Sequence, residues 1–405
     1  MIPAANRTKR QTFFLVLIIG LLNTITPFSI DMYLPAFPRI AADLHTDIAS
    51  VSLSVSTYFL GFALGQILYG PLLDRFGRKR PMYIGLSLYI VATLGCTLNG
   101  TIEILWIMRF MQALSGCVAA VAAMAMVRDF FPPDESARII SLLVLILGAS
   151  PLLAPTAGSL IVDAWGWHFV FVSLAVITFV LLIIVVIFLP EGHQPDKTIS
   201  LKPRPIVQGF AAVISQPQFY IFALAGTFSF SGLFVYVADS PAVFMGHFHL
   251  SAKQYGLVFA FLSIGFIGGS QLNHFLSRKY STAQILRITV LGQVIFSAVF
   301  LAGSFGDWYG LAVVICFLFV LLMFAGLGYP NAAANALIPF SKNAGTASAL
   351  LGFIQIGIGG LISSGVGMLH FKGTMSMAFI MAASSLIAWI ILLAGRNAVS
   401  KSQSV

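Results

Sequence analysis

The chain has 405 residues, of which 59% are hydrophobic and 9% are charged, and its mean hydropathy is +0.96. A soluble globular protein cannot keep enough polar surface in water at this composition, so the sequence indicates a polytopic membrane protein. The net charge of +9 is explained by the membrane topology described below and gives no reason to expect a nucleic-acid partner.

Twelve apolar windows along the chain are each about 20 residues long, enough to cross a hydrocarbon core of ~30 Å. The windows are 13–35, 50–72, 81–99, 104–127, 137–161, 167–189, 217–239, 253–276, 283–303, 309–334, 344–368 and 375–394. A helix satisfies its own backbone hydrogen bonds in lipid, and these runs lack the alternation of barrel strands. We therefore predict an all-α integral membrane fold with 12 transmembrane helices.

A stretch rich in proline and charge, residues 190–205, separates the first six windows from the last six. We predict an N-terminal six-helix bundle (1–189), a cytoplasmic linker (190–216) and a C-terminal six-helix bundle (217–405). A shift of 200 residues superposes Arg78-Lys79 on Arg278-Lys279, which indicates duplicated halves related by a pseudo-two-fold axis. The alternative is that any cytoplasmic loop acquires basic residues.

Basic residues are distributed unequally between the loops that join the windows. With a cytoplasmic N-terminus, three of them, Arg39, Lys253 and Lys372, fall outside and seventeen fall inside. The seventeen are Arg7, Lys9, Arg10, Arg75, Arg78, Lys79, Arg80, Arg128, Arg138, Lys197, Lys202, Arg204, Arg278, Lys279, Lys342, Arg396 and Lys401. Because Lys and Arg near helix ends resist translocation, we predict that both termini are cytoplasmic.

Asp31 and Arg109 are charged residues inside predicted windows. A charge at the centre of a membrane helix costs roughly 2.5 to 3.5 kcal/mol, so such residues usually face a cavity or each other. We interpret Asp31 as an acid that takes up and releases a proton, and Arg109, which stays protonated, as the group that tunes it. The alternatives are that Asp31 is an interfacial carboxylate capping the next loop and that Arg109 extends outward toward Glu103 and Trp106.

Other polar residues inside the windows suit a largely apolar cavity with a few hydrogen-bonding groups. The candidates for this substrate cavity are Asn23, Tyr58, Gln112, Tyr236, Asp239, Asn331, Asn335 and Gln355. Two of these assignments have alternatives. Asp239 is equally consistent with an ordinary helix-end charge, and Asn331 and Asn335, four residues apart, with bonding to a neighbouring helix.

The sequence contains no G-x-x-x-x-G-K-[ST] motif, so nothing supports ATP as a direct fuel. The seven histidines show no metal-ligand spacing, and Cys96, Cys117 and Cys316 lie within predicted windows without paired spacing. We expect buried cysteines, no disulfide, no metal, no cofactor and no enzymatic activity.

The fifth and eleventh windows are rich in residues that bend helices or allow close packing. The fifth contains Gly148, Pro151, Pro155 and Gly158, and the eleventh contains seven glycines between Gly345 and Gly367. Their matched placement in the two halves predicts a sliding interface, whereas plain packing of glycine-rich membrane helices is the alternative.

Three motifs resemble those of the major facilitator superfamily of transporters. Gly70, Asp74, Arg75, Gly77 and Arg78 match its G-x-x-x-D-R-x-G-R-K loop signature. The segment from Arg109 to Gly116 is similar to its helix-four motif, and Pro155-Thr-Ala-Gly158 is similar to the helix-five motif of its exporters. Asp31 to Pro38, Arg128-Asp129 and Gly345 to Ser348 together resemble the Bcr/CflA drug-resistance group.

This resemblance implies a proton-driven efflux pump of the bacterial inner membrane that alternates between inward-open and outward-open states. It implies proton coupling by Asp31 and Arg109, and it implies that the loop motif holds helices two and eleven together in one state. Small amphiphilic molecules, protons and the bilayer are the expected partners of a monomer. A proton-coupled importer of a small metabolite on the same fold is the alternative.

Overall fold

The computed structural model describes residues 9–98, 100–131, 133–192, 195–196, 203–340, 344–369, 371 and 373–395. This part of the chain forms fourteen α-helices, a 3-10 turn at Leu34–Ala36 and a π-helical turn at Ala242–His247. The α-helices are α1 (Lys9–Asp31), α2 (Phe37–Asp43), α3 (Ile48–Phe76), α4 (Lys79–Gly95), α5 (Ile102–Phe130), α6 (Pro133–Trp165), α7 (His168–Phe188), α8 (Pro203–Ile214), α9 (Pro217–Pro241), α10 (Ala252–Leu276), α11 (Thr282–Phe305), α12 (Leu311–Leu337), α13 (Ala344–Leu369) and α14 (Met375–Ala394).

All the helices except the short α2 and α8 coincide with the twelve apolar windows, which confirms the predicted all-α membrane fold. Ten stretches of the described chain are long and apolar enough to cross a membrane by themselves, and α4 and α6 supply the other two helices. Many large apolar side chains are exposed on the outside of the bundle, where lipid would cover them.

Two boundaries differ from the prediction. The first window was placed at 13–35, but α1 ends at Asp31 and the chain turns through Leu34–Ala36 into α2. Pro35 and Pro38 explain the break, because proline has no N–H to continue the preceding helix and is favoured in the first turn of a new one. The predicted linker also contains α8, which begins at Pro203 for the same reason.

Several predicted features lie outside the described residues. They are the two termini, linker positions 193–194 and 197–202, and the basic residues Arg7, Lys197, Lys202, Lys342, Lys372, Arg396 and Lys401; the side chains of Lys9, Arg128 and Arg138 are likewise not described.

The two halves meet along two pairs of helices, α3 with α13 and α6 with α10. The glycines of α13 allow the first contact, because a Cβ on Gly360 would lie 2.8 Å from the Cβ of Phe59 and one on Gly367 would lie 2.8 Å from Leu53. In the second pair, a Cβ on Gly256 would lie 3.6 Å from Thr156. The glycine-rich segments therefore lie at the interface between the halves.

The described contacts between the halves differ at the two ends of the bundle. We call the end that carries Arg78, Lys79 and Arg80 the basic side and the opposite end the far side. On the far side, the Leu34–Ala36 turn of the first half packs against α9 and α10 of the second. Toward the basic side, α3 still meets α13 beside Gln66, but space is open beside Gly70, with nothing within 4 Å of its hypothetical Cβ.

The turns at 78 and 278 occupy equivalent places but have different chemistry. Arg78 is buried among carboxylates, whereas Arg278 is exposed and contacts the ring of His274, with 3.2 Å between Nη2 and Nε2. In both halves the partner lies four residues earlier, as Asp74 in the first and His274 in the second. The two turns therefore share the spacing of the contact but not its charge.

The cysteine prediction was wrong at one position. Cys96 and Cys117 are buried, but Cys316 is exposed on α12. Because a lipid-facing residue and a core residue are both apolar, the sequence of a membrane helix does not distinguish the two environments.

Candidate functional site

Asp31 is the last residue of α1, and only 6% of it is exposed. Its carboxylate interacts electrostatically with the hydroxyl groups of Tyr236 on α9 and Tyr255 on α10, both in the second half. The interfacial capping role is therefore not the one observed. Asp31 lies instead at the boundary between the halves, where a change in its charge acts on both.

Gly158 allows close packing of α6 at this boundary. A Cβ on Gly158 would overlap the backbone carbonyl of Met32, so the helix-five motif lets α6 press directly against the residue after Asp31. Pro155, one turn earlier on α6, faces Gly256 of α10, with 3.7 Å from its carbonyl carbon to the hypothetical Cβ. The predicted motif residues thus connect the chain beside Asp31 to the opposite half.

Arg109 on α5 is fully buried, which excludes the interpretation that it extends outward to the membrane surface. Its guanidinium carbon lies 4.7 Å from the ring centre of Tyr33, 4.4 Å from that of Tyr58 and 5.8 Å from that of Phe171. Aromatic faces attract cations, so this cage replaces part of the lost hydration.

The hydrogen bonds of Arg109 in the described structure occupy only one of its three guanidinium nitrogens. Nη1 donates to Oε1 of Gln112 at 2.5 Å, and the Gln112 amide in turn donates to Oγ1 of Thr93 at 2.8 Å. Within the described residues, Nε and Nη2 have no hydrogen-bond partner and no carboxylate forms an ion pair with the guanidinium. Arg109 is a buried positive charge that remains available to an anionic partner.

Asp31 and Arg109 form no hydrogen bond or ion pair with each other in the described structure, and Tyr33 is the residue between their surroundings. Tyr33 follows Asp31 by two residues, its ring packs on the guanidinium of Arg109, and its hydroxyl is 2.9 Å from Oγ of Ser54. Asp31 interacts with Tyr236 of the second half, whereas the rings around Arg109 come from the turn after α1, from α3 and from α7 of the first half. The two residues are therefore separate centres with different neighbours.

The loop motif centres on Arg78, which is 6% exposed. Its guanidinium donates to Asp74 at 2.6 Å and to the two oxygens of Asp129 at 2.7 and 3.2 Å. The backbone amides of Arg78 and Lys79 donate to Oε1 of Glu191. Burial by itself lowers the pKa of Arg78, but the bonds to Asp129 and Asp74 outweigh it and raise the pKa above its ordinary value.

Gly77 makes this arrangement possible. Its φ of +82° is unfavourable for other residues, and a Cβ there would lie 2.8 Å from Oε1 of Glu191. Asp129 was noted in the sequence only within the Arg128-Asp129 pair, without a role, and Glu191 was not among the sequence candidates. Glu191 is a charge at the end of an apolar window, a common position that carries no specific signal.

The described partners of Arg78 are Asp74, Asp129 and Glu191, which lie in the first half or directly after it. On the basic side, α3 and α13 meet beside Gln66, and nothing lies within 4 Å of a hypothetical Cβ on Gly70. The implied role of the loop motif in holding helices two and eleven together stays a prediction.

The remaining cavity candidates do not form one wall. Tyr58 and Gln112 belong to the Arg109 cluster. Asn331 donates to Oδ1 of Asn273 on α10 at 2.7 Å, which is the helix-bonding alternative, and Asn335 donates to the carbonyl of Asn331 at 2.7 Å.

Three further candidates are buried with an unsatisfied polar atom in the described structure. The side-chain amide nitrogens of Asn23 and Gln355 have no hydrogen-bond partner. The hydroxyl of Tyr236, whose ring stacks on Phe259, also has none. Such groups are costly unless water or a ligand completes them. They are consistent with a polar surface along the interface.

Asp239 is not an ordinary helix-end charge. It is 5% exposed although it lies two residues before the end of α9, and its Oδ2 has no partner among the described residues. In the same part of the chain, no group of three or more His, Cys, Asp or Glu side chains is arranged to hold a metal ion.

The sequence matches the model of the Major Facilitator Superfamily over residues 19–364. It is 28% identical to a bicyclomycin resistance protein homolog of Haemophilus influenzae over 97% of this chain and 99% of the relative. It is 30% identical to the multidrug resistance protein MdtL of Escherichia coli over 82% of each chain.

Solved structures share the fold at low sequence identity. A bacterial homolog to the human lysosomal transporter Spinster, in an inward-facing and occupied conformation, matches with a TM-score of 0.73 at 16% identity and covers 98% of both chains. A D-xylose-proton symporter matches with a TM-score of 0.68 at 16% identity over 93% of this chain and 97% of its own.

Proposed function

Because the chain belongs to the major facilitator superfamily, and is therefore a membrane transporter and not an enzyme, we propose that it exports small amphiphilic molecules in exchange for protons. The names of its relatives, a bicyclomycin resistance protein homolog and a multidrug resistance protein, support export of drug-like compounds. The proposed location is the bacterial inner membrane, with the basic side and both termini in the cytoplasm, as the positive-inside rule favours.

The observation that carries proton coupling is the position of Asp31. A carboxyl group that is 6% exposed, at the boundary between the halves, changes its interactions with both halves when it gains or loses a proton. Loss of that proton creates a charge next to Tyr236 and Tyr255 that is costly unless water or a cation reaches it. Deprotonation of Asp31 therefore favours a state in which the far side opens.

Arg109 provides the complementary charge. It stays protonated, it is enclosed by aromatic rings, and two of its donor nitrogens are unused in the described structure. In the proposed cycle it tunes Asp31 indirectly through Tyr33, whose ring packs on the guanidinium and which follows Asp31 by two residues. One charge moving through 100 mV releases roughly 2.3 kcal/mol, enough to concentrate a neutral solute about fiftyfold.

The observed state fits the loading step of an exporter. The far side is closed by the Leu34–Ala36 turn against α9 and α10, while space is open beside Gly70 on the proposed cytoplasmic side. A substrate would enter from the cytoplasm or the inner leaflet in this state and leave after the halves rock about α3–α13 and α6–α10.

Two measurements test the proposal. Cells that express the chain should accumulate less of a bicyclomycin- or chloramphenicol-type drug, and addition of that drug to acid-loaded inverted vesicles should drain the proton gradient. Asp31→Asn should abolish the drug-induced proton flux, whereas Asp163→Asn, a change at a carboxylate that is 54% exposed, should leave it unchanged. Increased accumulation would identify an importer, and retained flux in Asp31→Asn would remove Asp31 from the mechanism.

A further inference from the structure

A second buried carboxyl group lies on the far side, apart from the Asp31 boundary. Asp239 lines a cavity of about 380 Å³ between the start of α3, the π-helical turn after α9, the end of α13 and the start of α14. The rim of this cavity includes His247, whose side chain is partly exposed, and Phe371, which is exposed. The cavity therefore opens at the far end of the bundle.

The carboxyl group of Asp239 in this cavity is not fully hydrogen-bonded in the described structure. Only 5% of Asp239 is exposed, and its Oδ2 has no hydrogen bond in the described part of the protein. A carboxyl group in such surroundings avoids the cost of an isolated charge by binding a proton or a cation.

The titratable groups around Asp239 are few among the described residues. His247 lies at the rim, where its Nε2 is 3.3 Å from Oδ1 of Asp307 from the turn after α11. The hydroxyl oxygen of Tyr255 on α10 lies 2.9 Å from Oγ of Ser240, with which it is hydrogen-bonded. The lining residues from α3, α13 and α14 are Ala49, Val366 and Ser376, which do not titrate, while His370 and Lys372 lie outside the described residues.

Asp239 and Asp31 have separate surroundings. Tyr236 and Ser240, which are four residues apart on α9, turn toward α10 and Asp31. Asp239 points instead into the far-side cavity, together with Ala242 and Gly246 one and two turns later. The two carboxyl groups therefore have different neighbours.

We propose that Asp239 is a second proton-binding site, located in the second half and supplied from the far side through this cavity. Its place in a transport cycle rests on the proposed function, but the binding of a proton there does not. The cavity wall includes Ala49, and Gly246 packs beside Ile48, with 3.4 Å from its hypothetical Cβ to Cδ1. Because both contacts are with the first half, protonation of Asp239 acts where the two halves close.

Infrared difference spectroscopy of the purified full chain in lipid nanodiscs tests the proton site without any transport. A titration of the wild type should show the carbonyl stretch of a buried carboxylic acid that is absent in Asp239→Asn and retained in Asp163→Asn. Asp239→Glu should restore a titrating band at a shifted frequency, which shows that the missing signal reflects the acid and not misfolding. A spectrum unchanged by Asp239→Asn, or a band that responds to Na⁺ and not to pH, would overturn the proposal.

Access is tested with Asp239→Cys on a Cys316→Ser background. A membrane-impermeant methanethiosulfonate reagent should modify this cysteine in right-side-out vesicles and not in inverted ones. Modification only in inverted vesicles would contradict supply from the far side. If the chain transports no drug but both results hold, the proposed function fails while the proton site stands.

Discussion

Ser56 on α3 and Ser363 on α13 are hydrogen-bonded across the two halves, with 2.9 Å between their hydroxyl oxygens. A polar bond between helices in lipid contributes about 0.6 to 2 kcal/mol and ties one half to the other at mid-helix. Gly360, one turn before Ser363, packs on Phe59 at the same level. Movement of the halves must therefore break or pivot about this contact.

The double variant Ser56→Cys with Ser363→Cys should form a disulfide under mild oxidation, because the two side-chain atoms already lie in contact. If the contact opens during the cycle, the cross-link should reduce drug efflux at least tenfold, and a reductant should restore it. Gel mobility and efflux are the measurements. The two single-cysteine variants are the controls, and undiminished efflux in the fully cross-linked protein would show that α3 and α13 do not separate here.

Arg109→Met should raise thermal stability and abolish transport together. Arg109 is a fully buried charge without a carboxylate partner in the described structure, so an apolar side chain of similar length removes a desolvation cost. We expect the melting temperature in detergent to rise by about 2 °C or more. Arg109→Lys is the comparison, since it keeps the charge but loses the planar contacts with Tyr33 and Tyr58. A lower melting temperature in Arg109→Met would mean that the charge is satisfied in the membrane.

Asp129→Asn should destabilise the protein more than Asp74→Asn. Asp129 accepts two bonds from Arg78 and its side chain is 14% exposed, whereas Asp74 accepts one bond and its side chain is 50% exposed. We expect a loss of about 1–3 kcal/mol for Asp129→Asn and less than about 1 kcal/mol for Asp74→Asn. Thermal unfolding of the two variants in the same detergent provides the comparison. Equal losses would show that Asp74 is buried in the membrane-embedded protein.

Gly158→Ala and Gly70→Ala form a matched pair of methyl additions. A Cβ on Gly158 overlaps the carbonyl of Met32, but one on Gly70 meets nothing within 4 Å. We expect Gly158→Ala to cost about 1–3 kcal/mol and to reduce transport by shifting the chain beside Asp31, because overpacking forces the backbone to move. Gly70→Ala should leave the melting temperature unchanged. Transport lost in Gly70→Ala at unchanged stability would place Gly70 at a contact of the opposite state.

The apolar windows predicted twelve membrane helices because span length and composition are local properties. The positions of proline residues predicted the ends and starts of helices less well. The prolines at 203 and 205 were interpreted as part of a linker, but Pro203 begins α8. One face of this helix is buried at Val213, and the other exposes Val207, so only packing against the bundle reveals it.

The sequence by itself determined the membrane fold, the charged turn at Arg78 and the rare charges within spans, since each depends on residues close together in the chain. Tertiary structure alone decided that Arg78 binds Asp129 and Glu191, that Asp31 faces Tyr236 and Tyr255, and that Asp239 is buried beside a cavity. The physical reason is that lipid and protein core both favour apolar side chains, so the pattern along a membrane helix does not reveal which face turns inward. The rotation of each helix, and the side on which the halves close, are set by contacts between residues far apart in sequence.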